Sequence, residues 1–193
     1  MRTEHVVVVN YDKRWKQWFE VLRERIGSAL GDIALRIEHV GSTSVEGLSA
    51  KPIIDIDVVI KDSSYLNEAI KRLAVIGYEH EGDLGVTGRE AFSYNGSQPQ
   101  PSHHLYVCPE DSPELTRHIA FRDWLRAHPV QAERYSEIKK KGARLFPYNI
   151  EGYMEYKSPY IHEIYEQIRS TNDRIEADVN AAILTESEDN PNA

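Results

Sequence analysis

The sequence predicts an α+β fold, in which strands and helices are mixed up to Pro113 and helices make up most of the chain beyond it. Three observations predict it. Residues 53–60 (IIDIDVVI) form a short, β-branched run that is typical of a buried strand. Residues 13–30 repeat apolar side chains at helical spacing. Beyond Pro113 the same spacing recurs over residues 114–127, 130–145 and 159–169, which indicates three further helices.

Three elements are predicted before the turn at residues 41–44. Residues 6–9 (VVVV) are β-branched and predict either a buried strand or an extended lead-in. The helix over residues 13–30 contains Trp15, Phe19, Leu22 and Ile26 on its apolar face and should end at Gly31. Residues 34–40 alternate as a strand does and break at the turn GSTS, residues 41–44.

After the strand over residues 53–60, apolar side chains at residues 66, 70 and 73 predict a helix over residues 64–76. Residues 78–95 are rich in turn residues and predict a β-ribbon, which a polar loop over residues 96–102 follows. The next strand covers residues 103–108. Its two-residue period places His104, Tyr106 and Cys108 on one face, and the adjacent His103 on the other.

Length and composition predict one domain over residues 1–170 and a polar, frayed tail over residues 171–193. The net charge of -8 argues against general binding of duplex nucleic acid, which depends on Lys and Arg neutralising phosphates. Cys108 is the single cysteine and cannot form an internal disulfide, and no apolar run approaches the roughly 20 residues that span a bilayer. We therefore expect a cytoplasmic protein without a membrane segment.

Asp55 and Asp57 are the first candidates for chemistry. Because successive side chains of a strand alternate, the two carboxylates point to the same face of an otherwise apolar strand. Two like charges so close together repel one another unless a cation lies between them. Mg²⁺ commonly binds one or two carboxylates, and substrate phosphates complete its shell. The pair therefore predicts a magnesium site.

Gly41, Ser42, Thr43 and Ser44 come directly after the preceding strand and supply what a triphosphate needs. Glycine permits close approach of the backbone, and the turn offers N–H and hydroxyl donors. Lys51 adds a positive charge nearby in sequence. These residues are the predicted nucleotide contacts of the turn, and a nucleoside triphosphate is the predicted substrate.

Each signal has a simpler interpretation. A Gly-Ser turn alone is usually only a connection between strands. An acidic pair can also lie at a solvated strand edge. The order and separation of the two features together are what indicate a metal and phosphate site.

A family resemblance supports this interpretation. A glycine-serine turn followed by an acidic pair on the next strand resembles the DNA polymerase beta-like nucleotidyltransferase superfamily. The chain also contains the blocks EHVGSTSV at 38–45, AKPIIDI at 50–56, HLYV at 104–107, FRDWLRAHP at 121–129, Tyr135 with Lys139, and EYKSPYI at 155–161. Through these blocks the chain resembles, more closely, the GrpB (UPF0157) family over residues 5–168.

The resemblance implies the nucleotidyltransferase fold, a small mixed sheet flanked by helices. Lys139 and Lys157 fall in matching blocks and are the preferred nucleotide contacts of the helical half. For Arg117 and Arg122 we favour a solvated helix face with intrahelical ion pairs. The superfamily usually carries a third carboxylate on a later strand, whereas residues 103–108 (HHLYVC) contain none. His104 is the candidate to replace it, as a metal ligand or a base.

Two functions are compatible with these features. The first is a Mg²⁺-dependent nucleotidyltransferase that moves a nucleoside monophosphate to an acceptor that the pattern does not specify. The alternative is a non-catalytic module that binds a nucleotide or a ligand related to coenzyme A, since members of the resembled family also occur fused to dephospho-coenzyme A kinase. Recognition of an RNA end is also compatible with the superfamily, but the net charge of -8 argues against it.

Overall fold

The computed structural model describes residues 5–188 of the 193-residue chain, with side chains described up to residue 174. The strands are β1 (Arg36–Val40), β2 (Ile54–Ile60), β3 (Tyr78–Gly82), β4 (Glu90–Tyr94) and β5 (His103–Pro109). The helices are α1 (Arg14–Leu30), α2 (Leu66–Val75), α3 (Pro113–Ala127), α4 (Pro129–Leu145) and α5 (Ile150–Glu188). The α+β class and the helical C-terminal half are confirmed.

The five strands form one mixed sheet in the order β1-β2-β5-β4-β3. β2 pairs in parallel with β5, and the other neighbours pair antiparallel. The register places Asp55 opposite His104 and Asp57 opposite Tyr106 on β5, and Glu38 of β1 opposite Asp57 on the other side. Both aspartates therefore lie on β2, an interior strand of the sheet, and not at a solvated edge.

One face of the sheet is apolar and is covered by α1 and α2. β2 contributes the alternating side chains Ile54, Ile56, Val58 and Ile60, all essentially buried. α1 buries the stripe that its helical spacing predicts, and α2 adds Ala69 and Leu73 to the same cluster. Burial of such side chains contributes about 1.5–3 kcal/mol each, so this core fixes the position of β2.

The opposite face carries the acidic pair and is covered by the C-terminal helices. Val59, Cys108 and Leu115 form a small buried cluster that seats α3 on the sheet. A second cluster joins α3, α4 and α5 to the segment after β1, through Val45, Leu48, Leu125, Ala132, Tyr135, Tyr160 and Ile164. α4 and α5 are thereby held beside the turn that follows β1.

The N-terminal segment is an extended lead-in and not a strand of the sheet. Val9 forms an isolated antiparallel bridge with Ala50, and the Val6 amide donates to the carbonyl of Pro147. Residues 42–44, expected as a simple turn, form one turn of 3₁₀ helix. The other predicted strands and helices before residue 146 agree with the structure to within a few residues.

The last helix is much longer than the predicted span of residues 159–169. α5 begins at Ile150, where the Asn149 side chain accepts from the Gly152 amide, and Pro159 lies inside the helix. Burial of Tyr153, Tyr160 and Ile164 stabilises it across the proline. Residues 171–188, expected to fray, continue this helix, and residues 189–193 lie outside the described part. The domain boundary at residue 170 stays a prediction.

None of the described helices combines the length and the apolarity that crossing a bilayer would require.

Candidate functional site

Asp55 and Asp57 lie side by side on β2, but their environments differ. The side chain of Asp57 is fully buried, whereas that of Asp55 is 32% exposed. Burial raises the pKa of Asp57, and the charge of Asp55 raises it further. Burial would also raise the pKa of Asp55, but a hydrogen bond with His104 lowers it below its usual value. The more exposed carboxylate is therefore the more readily ionised one.

Each carboxylate is paired with a histidine through one oxygen. His104 Nδ1 lies 2.8 Å from Asp55 Oδ1, and His118 Nδ1 lies 2.7 Å from Asp57 Oδ2. Burial would lower the pKa of His118, but the hydrogen bond and charge of Asp57 raise it above its ordinary value. One oxygen of each aspartate remains outside these pairs, and both remaining oxygens belong to the same face of β2.

The surroundings of Asp57 Oδ1 indicate whether a cation could bind at the pair. It is buried and has no hydrogen-bond partner among the described residues. A buried acceptor left without a partner costs about 1–3 kcal/mol. A divalent cation at the pair would satisfy this oxygen, and carboxylate oxygens are the ligands that Mg²⁺ prefers. The donor set therefore fits Mg²⁺, with ligands beyond Asp55 and Asp57 supplied by substrate or water.

The described residues do not form a ready-made metal cage. Between residues 5 and 174, no group of three or more His, Cys, Asp and Glu side chains is arranged to hold a metal ion. Glu38 lies opposite Asp57, but its carboxylate accepts a hydrogen bond from Arg122 at 2.7 Å and pairs with Arg36 at 3.4 Å. Glu38 thus provides a third carboxylate beside Asp57, but it is already paired with Arg36 and Arg122.

Gly41 is required by a close approach to Asp55. A Cβ atom at this position would lie 2.1 Å from Asp55 Oδ2, and the φ of Gly41 is 67°, in the left-handed region that favours glycine. The turn therefore packs its backbone directly against the more exposed carboxylate. This contact explains why a glycine stands at the start of the turn.

The three hydroxyls of the turn have different surroundings. Ser42 Oγ accepts a hydrogen bond from Lys139 Nζ at 2.8 Å. Thr43 is buried, and its Oγ1 lies 3.0 Å from His39 Nε2 and 3.3 Å from the carbonyl of Ile53. Ser44 Oγ donates to the carbonyl of Gly41. Thr43 and Ser44 therefore stabilise the turn itself, whereas Ser42 contacts the cationic part of the site.

Three lysines converge around Asp55. Burial lowers the pKa of Lys51, with the charge of Asp55 opposing it. Burial lowers the pKa of Lys157 to about 8, and the charge of Lys51 adds to the decrease. Lys139 is only 2% exposed, and burial together with the charge of Lys157 holds its pKa well below the ordinary value. The lysines repel one another, so a polyanion placed among them would be strongly favoured.

Aromatic rings position two of these lysines. Lys139 Nζ lies 4.3 Å from the centre of the Tyr135 ring, and Lys157 Nζ lies 5.3 Å from that of Tyr153. A cation over an aromatic face is worth about 0.5–2 kcal/mol, more when it is desolvated. Gly142 allows α4 and α5 to approach closely, since a Cβ there would lie 2.9 Å from the Tyr156 ring. This packing brings together lysines that are far apart in sequence.

Two arginines of α3 were expected on a solvated helix face. Arg117 forms an intrahelical ion pair with Glu114 at 2.7 Å, as expected. For Arg122 the intrahelical ion pair is present, with Asp123 at 2.8 Å, but the solvated face is wrong: the side chain is 11% exposed, and its Nη1 donates to Glu38 and to the carbonyl of His39. The reason is tertiary, because α3 packs across β1 and brings Arg122 over the sheet.

Sequence reasoning missed His118. It lies four residues from both Glu114 and Arg122, so helical spacing places the three on one face of α3. That spacing was the available signal, but it does not reveal which part of the sheet the face covers. The contact with Asp57 joins residues 61 positions apart and depends on how α3 docks.

A cleft of about 1000 Å³ lies beside the same turn, between α1 and the C-terminal helices. Thr43 and Ser44 line it, whereas Asp55 and Asp57 do not. Its charged side chains have both signs: Lys16, Glu20, Glu46, Arg126, Glu133, Glu137 and Lys140. This balance does not favour a polyanion, so the acidic face of the sheet remains the candidate site.

Comparison with solved structures confirms the nucleotidyltransferase fold. A chain of the GLD-2/RNP-8 complex superimposes with a TM-score of 0.53 over 71% of this chain and 55% of that chain, at 14% identity. At that identity the similarity concerns the fold alone.

Sequence comparison also finds a distant relative. A dephospho-CoA kinase of Mycolicibacterium paratuberculosis is 23% identical over 187 residues, which cover 84% of this chain and 46% of that protein.

Closer similarities concern the family. The UPF0157 protein YqkA of Bacillus subtilis is 31% identical over 164 residues, or 85% of this chain, and this chain covers only 47% of that relative's length. The crystal structure of the conserved protein GrpB from Enterococcus faecalis superimposes with a TM-score of 0.76 at 32% identity, over 86% of this chain and 99% of that chain. The GrpB protein family matches residues 5–167. The chain therefore belongs to the GrpB family.

Proposed function

We propose that this protein is a Mg²⁺-dependent nucleotidyltransferase, which transfers a nucleoside monophosphate from a nucleoside triphosphate to an acceptor hydroxyl. The observation that carries the proposal is the placement of Lys51, Lys139 and Lys157 around Asp55, the more exposed member of the aspartate pair. The nucleotidyltransferase fold supports it. The lysines supply charge for a triphosphate, and the aspartates supply the oxygen ligands for its metal ion.

The donor would bind with its phosphates on the lysine side of Asp55. Ser42, held by Lys139 at 2.8 Å, contacts the phosphates, and Lys51 and Lys157 compensate their charge. Asp55 and Asp57 would hold Mg²⁺, which would stabilise the charge that develops on the phosphates. Binding of the polyanion also relieves the repulsion among the lysines, so donor affinity and lysine protonation are coupled.

His104 is placed to act as the base. Its Nδ1 contacts Asp55 Oδ1, which leaves Nε2 on the opposite side of a ring that is 40% exposed. In the proposed reaction Nε2 takes the proton of the acceptor hydroxyl as its oxygen forms a bond to the α-phosphorus. The bond between that phosphorus and the pyrophosphate oxygen breaks, and pyrophosphate leaves towards the lysines. The contact with Asp55 orients the ring for this transfer.

The test is binding of a non-hydrolysable analogue of ATP, measured by calorimetry with Mg²⁺ and with a chelator. We expect binding that requires Mg²⁺ and is lost in Asp55→Asn and Asp57→Asn. Asp32→Asn is the matched control, because Asp32 is 86% exposed and pairs with Arg72 on the apolar side of the sheet. Tight, metal-independent binding that the two site variants leave unchanged would contradict the proposal.

A second candidate is a non-catalytic module that binds a nucleotide or a ligand related to coenzyme A. The observation that favours it is the engagement of Glu38 by arginines, together with His104 and Tyr106 on β5 where a third carboxylate is usual. The similarity to a dephospho-CoA kinase points to the same ligands. A raised melting temperature with dephospho-coenzyme A or ATP, without release of pyrophosphate in any acceptor screen, would favour this candidate.

A further inference from the structure

Arg89 is a cationic side chain on the acidic face that has no part in the proposed reaction. It directly precedes β4, and its guanidinium lies 4.1 Å from the centre of the Tyr106 ring. Tyr106 is paired with Asp57 on one side and with Ala91 of β4 on the other. Arg89 therefore reaches across Tyr106 towards the carboxylate pair.

The guanidinium of Arg89 lacks a partner at one of its donors. Its Nε is buried and makes no hydrogen bond to any of the described residues. An unpaired buried donor on a charged group is costly, and burial of Arg is normally accompanied by an anion or an acceptor. The stacking on Tyr106 orients the planar group but satisfies none of its N–H donors. An anionic ligand beside the guanidinium would offset this cost.

The cationic groups lie on two different sides of the aspartate pair. Lys139 donates to Ser42 in the turn that follows β1, and that turn packs against Asp55, whereas Arg89 stacks on Tyr106 of β5, which lies opposite Asp57. The charge of Arg89 also acts on His118 and Tyr106. Positive charge thus accumulates near Asp55 through the lysines and, separately, near Asp57 through Arg89.

The positions of the two groups of cations affect how a nucleoside monophosphate could be transferred. The attacking and leaving oxygens lie roughly in line on opposite sides of the reacting phosphorus. If pyrophosphate leaves among the lysines, the acceptor approaches from the β5 side of the pair, where His104 also lies. Arg89 is the cation on that side.

We propose that Arg89 binds an anionic group of the acceptor, a phosphate or a carboxylate carried by the same molecule as the attacking hydroxyl. The inference rests on the proposed function, because it takes the lysine side as the donor side. It narrows the acceptor to hydroxyl compounds that carry an anionic group. A planar guanidinium that offers two parallel N–H groups matches both phosphate and carboxylate.

The experiment uses three probes with one carbon skeleton: glycerol 3-phosphate, glycerate and glycerol. Each is titrated at constant ionic strength into the full-length protein already saturated with Mg²⁺ and a non-hydrolysable ATP analogue, and binding is followed by thermal shift and calorimetry. The variants are Arg89→Gln and Arg89→Lys. Arg134→Gln is the matched control, since Arg134 also lies over a tyrosine ring, at 4.7 Å from that of Tyr160.

We expect saturable binding of glycerol 3-phosphate or glycerate, and none of glycerol, by the unaltered protein and by Arg134→Gln. Arg89→Gln should weaken anion binding at least about tenfold and leave affinity for the ATP analogue within about twofold, with partial rescue in Arg89→Lys. The two anions distinguish a phosphate acceptor from a carboxylate acceptor.

Three results would overturn the inference. Equal anion affinity in Arg89→Gln and the unaltered protein is the first, and absence of saturable anion binding is the second. The third is a loss of affinity for the ATP analogue in Arg89→Gln as large as the loss for the anion, which would place Arg89 in the donor site. A failure of the proposed function is seen separately, as absence of Mg²⁺-dependent analogue binding before any probe is added.

Discussion

At the residue scale, the site depends on one carboxylate that three elements approach. Asp55 contacts His104 of β5 through Oδ1 and packs against Gly41 of the turn through Oδ2. Lys139 of α4 and Lys157 of α5 act on the same group from the helices. A change of a single atom around Asp55 should therefore alter ligand binding more than stability.

Gly41→Ala tests this contact. The added Cβ would meet Asp55 Oδ2 at 2.1 Å and displace the carboxylate, so we expect Mg²⁺-dependent binding of an ATP analogue to weaken by about tenfold or more. Gly47→Ala is the matched control, because Gly47 also has a positive φ, of 81°, but nothing lies within 4 Å of its Cβ position. Equal losses of affinity in the two variants, measured by calorimetry, would show that backbone strain and not the contact is responsible.

Lys157 predicts a pH dependence of nucleotide binding. Burial lowers the pKa of Lys157 to about 8, so in the free protein the amine is charged below this pH and neutral above it. A bound phosphate favours the charged form. Affinity for the ATP analogue should therefore fall as pH rises through about 8, with proton uptake on binding at the higher pH.

Calorimetry about one pH unit on either side of that pKa, in buffers of different ionisation enthalpy, measures both quantities. Lys157→Arg keeps its charge over this range and should lose this part of the pH dependence. An affinity of the unaltered protein that stays constant across the range would contradict the assignment.

At the element scale, the elements that depend on local sequence pattern could be predicted, whereas those placed by tertiary packing could not. β1, β2, β5 and the glycine turn follow from short-range alternation and turn chemistry, and this local pattern is enough to place Asp55, Asp57 and His104 on one face. The docking of α3 does not follow from pattern. Its contacts His118 to Asp57 and Arg122 to Glu38 join residues 61 and 84 positions apart, and nothing in the local sequence specifies them.

Arg122→Gln tests how α3 is held. Loss of the guanidinium leaves Glu38 with a weaker partner in a largely buried position, so the free energy of unfolding should fall by about 1–3 kcal/mol in denaturant titrations. Arg23→Gln is the control: Arg23 forms an exposed ion pair with Glu20 within α1, and its removal should cost about 0–1 kcal/mol. Equal effects would mean that Arg122 does not tie α3 to β1.

At the scale of the whole molecule, the sheet separates two tasks. Its apolar face, under α1 and α2, stabilises the fold, and its acidic face, under α3, α4 and α5, presents the titratable groups. The class of fold could be predicted because the spacing of apolar residues distinguishes strands from helices along the chain. The lysine cluster could be predicted only as separate residues, since its convergence depends on the close packing of α4 on α5 at Gly142.

The predicted boundary at residue 170 can be tested by truncation. Ile168 still packs against the cluster between α3, α4 and α5, whereas residues 171–174 are exposed. A chain that ends at residue 170 should therefore unfold cooperatively, with a melting temperature close to that of the full chain, and bind the ATP analogue unchanged. Loss of cooperative unfolding would show that the distal part of α5 belongs to the domain.

The central claim is that Asp55 and Asp57 hold a divalent cation together with a nucleotide. The most direct measurement is an anomalous difference map from crystals grown with Mn²⁺ and a non-hydrolysable ATP analogue. We expect a peak in contact with both carboxylates and with phosphate oxygens, and the phosphates among Lys51, Lys139 and Lys157. A nucleotide bound elsewhere, or no peak while both aspartates stay paired only with His104 and His118, would contradict it.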